Sequence, residues 1–162
     1  MRAVADTGPL HYLILIGQVE LMAVLFSDVA IPEQVKAELA HPGAPDAVRN
    51  WIQAPPIWLS IHPAKSGILA QVDATLDAGE QAAIALALGR QPDLILMDER
   101  AGTTAAQARG FVVTGTLGLL QRAARRNLLD LPTALDDLDR TNFRWTRSLR
   151  ARVLAEHLKE RW

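Results

Sequence analysis

Residues 2–10 read RAVADTGPL. Ala3, Val4 and Ala5 form a short apolar run that ends in Asp6, and Thr7, Gly8 and Pro9 then turn the backbone into a helix-like apolar segment. A run of this kind marks a strand buried on both faces, and open α/β sheets place their chemistry at the carboxyl ends of such strands. Asp6 stands at one. The same order returns in residues 94–99, LILMDE, where an unbroken apolar run closes on Asp98. Weaker versions lie at Val29–Ile31, Trp58–Ile61 and Phe111–Val113.

Between these strands the spacing predicts helices. They cover Pro9–Gly17, Val19–Phe26, a segment opened by Pro32 with Val35 and Leu39 turned inward, and Asp46–Gln53. His62–Gly67 reads as a loop and Ile68–Leu76 as weakly helical. Gly79–Leu88 is strongly helical and capped by Gly89, and further helices follow over Glu99–Ala108, Thr116–Arg126, Thr133–Asp139 and Thr146–Glu160. Strands alternating with helices predict one α/β domain over residues 1–162, with a mostly parallel sheet of about five strands. The C-terminal helices, from about residue 131, are expected to pack on it.

Composition narrows the chemistry. The chain has 162 residues and no cysteine, which excludes disulfides and thiolate metal sites and suits a reducing compartment. Asp6 and Pro9 interrupt any signal-peptide core, and Leu13–Ile16 and Leu21–Phe26 are too short to cross a bilayer. A soluble cytoplasmic protein with no membrane partner is expected. The net charge of −1 gives no global basic field, although Arg140, Arg144, Arg147, Arg150, Arg152, Lys159 and Arg161 gather near the C-terminus. Such a cluster suits an anionic partner or a salt-bridged helix face. His11, His41, His62 and His157 lack ligand spacing, and Trp51, Trp58, Trp145 and Trp162 read as packing or interface groups.

Four carboxylates stand out by position: Asp6, Glu38, Glu80 and Asp98. Each has a plain structural explanation. Asp6 suits an Asx turn, Glu38 a solvated helix face, Asp77 with Glu80 a capping box, and Asp98 the cap of the helix opened by Glu99. Together they say more, because a parallel sheet brings Asp6 and Asp98 to the same end. Carboxylates crowded there raise one another's pKa unless a cation neutralises them, and hard oxygen ligands favour Mg²⁺ or Mn²⁺. Such ions activate water and stabilise charge on a phosphodiester under attack.

The segments VADTGPL, VKAEL, LDAGEQAAIALA, LILMDERAG and VVTGTLGLL resemble PIN-domain proteins of the VapC-like group, over Ala3 to about Leu120. The resemblance implies a Rossmann-like α/β/α sandwich and Mg²⁺- or Mn²⁺-dependent endoribonuclease activity. It also implies the toxin role in a type II toxin–antitoxin pair, with RNA as substrate, a cognate antitoxin as partner, and a homodimer. On it, Asp6, Glu38, Glu80 and Asp98 are the catalytic metal ligands, with Glu99 in support. Thr7 and Thr114 would position water or a phosphate oxygen, and Gly115 would let the backbone approach. Arg122, Arg125 and Arg126, at helical spacing, are the candidate RNA-binding groups. The chain departs from many relatives at Leu96, where they carry Thr or Ser, and in its lower basic charge.

Other aspartate chemistries fail on named residues. An aspartic protease needs two Asp-Thr-Gly motifs or a symmetric dimer on an all-β scaffold. An aspartyl phosphatase needs an acid where Gly8 stands, and a phospho-receiver needs a lysine where Thr114-Gly115 stands. The remaining alternative is a PIN-like module that binds RNA or a protein without cutting.

Overall fold

A computed structural model describes residues 1–161, so the packing role read for Trp162 lies outside the described residues. Five parallel strands, β1 (Arg2–Ala5), β2 (Asp28–Pro32), β3 (Leu59–His62), β4 (Leu94–Leu96) and β5 (Val113–Thr114), form one sheet in the order β3-β2-β1-β4-β5. Neighbours pair in parallel throughout, with Val4 beside Ala30 on one flank and Ile95 on the other. The chain steps from β1 to β2 to β3, then returns across β1 to β4. The point where the order reverses therefore lies between β1 and β4, where this architecture opens a crevice at the carboxyl edge.

Helices cover both faces. On one lie α1 (Thr7–Leu15), α2 (Leu21–Leu25), α3 (Glu33–Leu39) and α4 (Asp46–Gln53), with α8 (Thr116–Arg125), α9 (Leu131–Asp139) and α10 (Arg147–Glu160). On the other lie α5 (Ser66–Leu69), α6 (Ala78–Arg90) and α7 (Arg100–Ala108). Strand alternation sorts the core between them: Ala3, Ala5, Leu94 and Leu96 face the first group, and Val4, Ile95 and Met97 the second. Val4 and Ala30 are small, and the buried Ala82, Ala83, Ala85 and Ala87 let α6 lie close upon them. The result is an α/β/α sandwich.

Several boundaries differ from the sequence reading. Helix α1 starts at Thr7 rather than Pro9, because a first turn needs no donor from proline. The helix expected over Ile68–Leu76 stops at Leu69, and Asp73 instead accepts from the Thr75 backbone N–H and hydroxyl in a tight turn. Gly89 lies inside α6, whose cap is Gln91 at φ 50°. Among the described residues no helix is long and apolar enough to cross a membrane.

Candidate acidic site at the sheet edge

Asp6 leaves β1 in extended backbone, and its N–H donates to the Leu96 carbonyl of β4 at 2.8 Å. That bond continues the ladder past the strand and holds the residue at the switch point. Alternation turns its side chain, like that of Val4, toward the α6 side. There it is 5% exposed, and its Oδ1 has no hydrogen-bond partner among the described residues. Burial pushes the carboxyl up to about 7; the Thr7 backbone N–H opposes this, and the charges of Glu38, Asp77 and Glu80 add to it.

Glu80 arrives from the first turn of α6. The capping box is real: Asp77 accepts from the Glu80 N–H at 2.8 Å, and Glu80 Oε2 accepts from the Asp77 N–H at 3.2 Å. The structural explanation of Glu80 therefore holds. The side chain is 5% exposed, and burial, then Asp77, raise its pKa. Glu38 arrives from the last turn of α3, where Thr7 donates its hydroxyl to Glu38 Oε2.

Asp98 follows β4 with the alternation of Leu94 and Leu96, on the α1 and α8 side of the sheet. It does not cap α7, whose cap position is Glu99 without a side-chain bond. Its Oδ1 accepts from the Thr116 backbone N–H and its Oδ2 from the Thr116 hydroxyl, both at 2.7 Å. Burial raises its carboxyl, these two bonds oppose the rise, and Glu99 adds to it. Glu99 itself is exposed.

Glycines make the crowding possible. A Cβ on Gly8 would stand 3.0 Å from Asp98 Oδ2, on Gly115 2.6 Å from Asp98 Oδ1, and on Gly79 2.5 Å from Glu38 Oε1. Gly102 does the same for Glu80, with 3.2 Å from its Cγ and Cδ. Close approach therefore recurs at each of these three carboxylates.

The structure brings Asp6, Glu38 and Glu80 into mutual electrostatic range, while Asp98 lies against Gly8 and feels the charge of Glu99. Among the described residues no three His, Asp or Glu side chains stand close enough to enclose one ion. The donor set nevertheless fits a hard divalent cation. It is all carboxylate oxygen, and it carries an unpartnered buried Oδ1.

One sequence expectation is corrected and one residue is added. Thr114, read as positioning water or a phosphate oxygen, packs its methyl toward Gly118, and the hydroxyl that bonds Asp98 is that of Thr116, which the sequence reading did not single out. The signal was present, because Thr114-Gly115-Thr116 offers two hydroxyls and only the second opens α8. Arg122, Arg125 and Arg126 do not flank the acids. Arg122 reaches Met1 Sδ, Arg125 pairs with Glu160 of α10, and Arg126 reaches the Val24 carbonyl, all at the far end of α8. A helix that starts at a strand's carboxyl edge carries its last turn away from that edge, here by roughly 15 Å.

The sequence reading missed the walls around the acids. A cleft of about 350 Å³ is lined by Tyr12, Asp98, Glu99, Asn142, Phe143 and Arg144. A second, of about 610 Å³, is lined by residues that include His11, Glu38, His41 and Asn142. Burial, then Asp98 and Glu99, push the Tyr12 hydroxyl up, and Arg144 pulls it down. The connector NFRW between α9 and α10 carries no motif, so only the fold reveals its place.

No curated protein and no solved structure matches the chain. A family described as DUF3368, a PIN domain, matches residues 2–159. With that match over nearly its whole length, and with a parallel five-stranded sheet carrying acids at its switch point, the chain belongs to the PIN-domain family, whose members are generally nucleases.

Proposed function

We propose that this chain is a divalent-metal-dependent endoribonuclease that hydrolyses RNA phosphodiester bonds. The observation that carries the reading is Asp6: a buried carboxyl at the switch point, with an unpartnered oxygen and a pKa raised to about 7 beside Glu38 and Glu80. Burying that group is costly without a bound cation to repay it. PIN-domain nucleases typically use divalent metals, and Mg²⁺ or Mn²⁺ is the ion proposed for this donor set. Asp6, Glu38 and Glu80 would hold it, with Asp98 completing the site across Gly8. When bound, the ion would supply a nucleophile from water and offset charge at phosphorus.

The chain's own groups do the rest. Thr7 orients Glu38 by its hydroxyl, and the Asp77 N–H orients Glu80. Thr116 fixes Asp98 by two bonds, so the position of that carboxylate does not depend on the substrate. Without the ion, the Asp6 carboxyl keeps its proton up to about pH 7.

Asp6→Asn and Asp98→Asn variants, incubated with RNA and Mn²⁺, are expected to lose cleavage while keeping the fold. Full nuclease activity in both would falsify the reading. One observation favours a second reading, a module that binds RNA or a protein without cutting: Asp98 gives both oxygens to Thr116. Absence of cleavage in the unaltered protein, with RNA binding retained, would select it.

From the VapC-like resemblance we further propose a cytoplasmic toxin of a type II toxin–antitoxin pair, homodimeric and held by a cognate antitoxin. Induced expression is expected to arrest growth. An unaffected culture would count against the toxin role and leave the nuclease reading standing.

A further inference from the structure

The two clefts beside the acids share one wall. Asn142 lines both, one opening onto Asp98 and Glu99 and the other onto Glu38. Tyr12 donates its hydroxyl to Asn142 Oδ1 at 3.1 Å, which ties the α9–α10 connector to α1. Three rings run along this wall: His11 to Tyr12 is 4.8 Å between centroids and Tyr12 to Phe143 4.9 Å, and Phe143 is backed by Trp145 at 5.9 Å.

Arg144 stands on the same wall. It is exposed and takes part in no ion pair among the described residues, whereas Arg150 is bound by Asp136 and Asp139 and Arg125 by Glu160. A polyanion approaching four carboxylates is repelled, and a cation within a Debye length, about 8–10 Å, offsets that repulsion. A guanidinium also matches a phosphate geometrically, as a planar fork of donors. Ring edges and faces beside such a cation suit unstacked bases, which a single strand offers and a duplex does not.

We propose that the ridge of Tyr12, Asn142 and Phe143 is the path of a single-stranded RNA, and that Arg144 is a positioning residue holding a phosphate of that strand beside Asp98. The inference rests on the nuclease reading for the class of substrate and adds to it the route and the cation. It also replaces the arginines of α8, which lie at the wrong end of the sheet.

The test uses the full chain in chelator, so that the strand is bound and not cut. A fluorescein-labelled single-stranded RNA of about ten nucleotides is titrated by anisotropy across a range of KCl. Arg144→Ala is expected to weaken binding about 5–10-fold at low salt and to flatten the slope of log K against log salt by about 0.7, the share of one phosphate on a single strand. Arg144→Lys should keep the slope, Arg125→Ala should match the unaltered protein, and an annealed duplex should bind more weakly. Because Arg144 is exposed, melting of the variant should be unchanged.

An unaltered slope in Arg144→Ala, an equal loss in Arg125→Ala, or no RNA binding by the unaltered protein overturns the inference, and a protein partner then becomes the candidate for the clefts. A parallel Mn²⁺ cleavage assay separates the two readings. Cleavage lost in Asp6→Asn with RNA binding unaltered in Arg144→Ala removes the path and leaves the nuclease. The reduced slope without cleavage in any preparation supports the path and removes the nuclease.

Discussion

A carboxyl at 5% exposure beside Glu38, Asp77 and Glu80 titrates late, and that delay is a statement about stability. Asp6 ionises near 3.8 when unfolded and near 7 when folded, so between those values the folded chain keeps a proton that the unfolded chain has released. Folding stability from this group is full below the unfolded value and falls as pH rises through the window to about 7. Glu80 and Asp98, also raised, act in the same direction. In chelator the loss from Asp6 alone is on the order of 4 kcal/mol. Asp6→Asn, which has no charge to bury, should therefore melt higher than the unaltered protein at pH 8 and show a flatter pH profile; parallel profiles would remove burial as the cause. Gly79 offers a second residue-scale test. The atoms nearest a methyl there are the Glu38 carboxylate oxygens, at 2.5 and 2.8 Å, so that side-chain end must shift from its bond with Thr7 while the backbone stays. Gly79→Ala should leave melting unchanged or slightly raised, since alanine favours a helix by up to about 1 kcal/mol. Mn²⁺ affinity by calorimetry should fall roughly tenfold, the scale seen when a support of a metal ligand is lost.

At the scale of the element, β4 and α8 show which parts of the site the sequence carries. The run LILM announces β4 because a strand covered on both faces must be apolar at every position, and Asp98 stands out as the break in it. What Asp98 bonds is decided elsewhere. The nearest helix N-terminus in sequence is that of α7, yet its partner is Thr116, 18 residues on, because β5 lies beside β4 and delivers the start of α8 there. Local spacing holds no record of that pairing. The direction of α8 is legible in the sequence: a helix after a parallel strand runs away from the site, so arginines in its last turn face the opposite edge. The capping box of α6 was legible because it is local, and it stands as the sequence spells it. Asn142 and Arg144 owe their position to the packing of α9 and α10, which short motifs do not encode. The Thr116 bond gives this scale its prediction. Thr116 is wholly buried, and Thr116→Val keeps the shape while removing the hydroxyl donor to Asp98 Oδ2. Leaving that oxygen unsatisfied should cost about 1–3 kcal/mol by urea unfolding, with Thr116→Ser recovering most of it. Asp98→Asn should stabilise the chain at pH 8 less than Asp6→Asn does, because the two bonds from Thr116 already offset part of the cost of burying its charge.

For the molecule as a whole, the proposed ion site at the switch point would link ion binding to folding. Asp6, Glu38 and Glu80 come from the end of β1, from α3 and from α6, segments spread from residue 6 to residue 80, and they come into electrostatic range only in the folded chain. An ion held there binds the folded state and not the unfolded one, so it stabilises by mass action, about 2.7 kcal/mol at a hundred times its dissociation constant. For a chain of 162 residues each kcal/mol moves the melting temperature by about 2–4 °C, so saturating Mn²⁺ should raise it by roughly 5–10 °C. The ion also returns the Asp6 carboxyl to its charged form, so its binding releases protons in the window below about 7. The rise should therefore be larger at pH 8, where the site is ionised and strained, than at pH 5.5, where proton and ion compete for Asp6. Asp6→Asn should show little rise at either pH, since it has no charge to offer. A rise of equal size at both pH values, or one retained in Asp6→Asn, would place the ion elsewhere on the surface and detach the acidic site from metal binding.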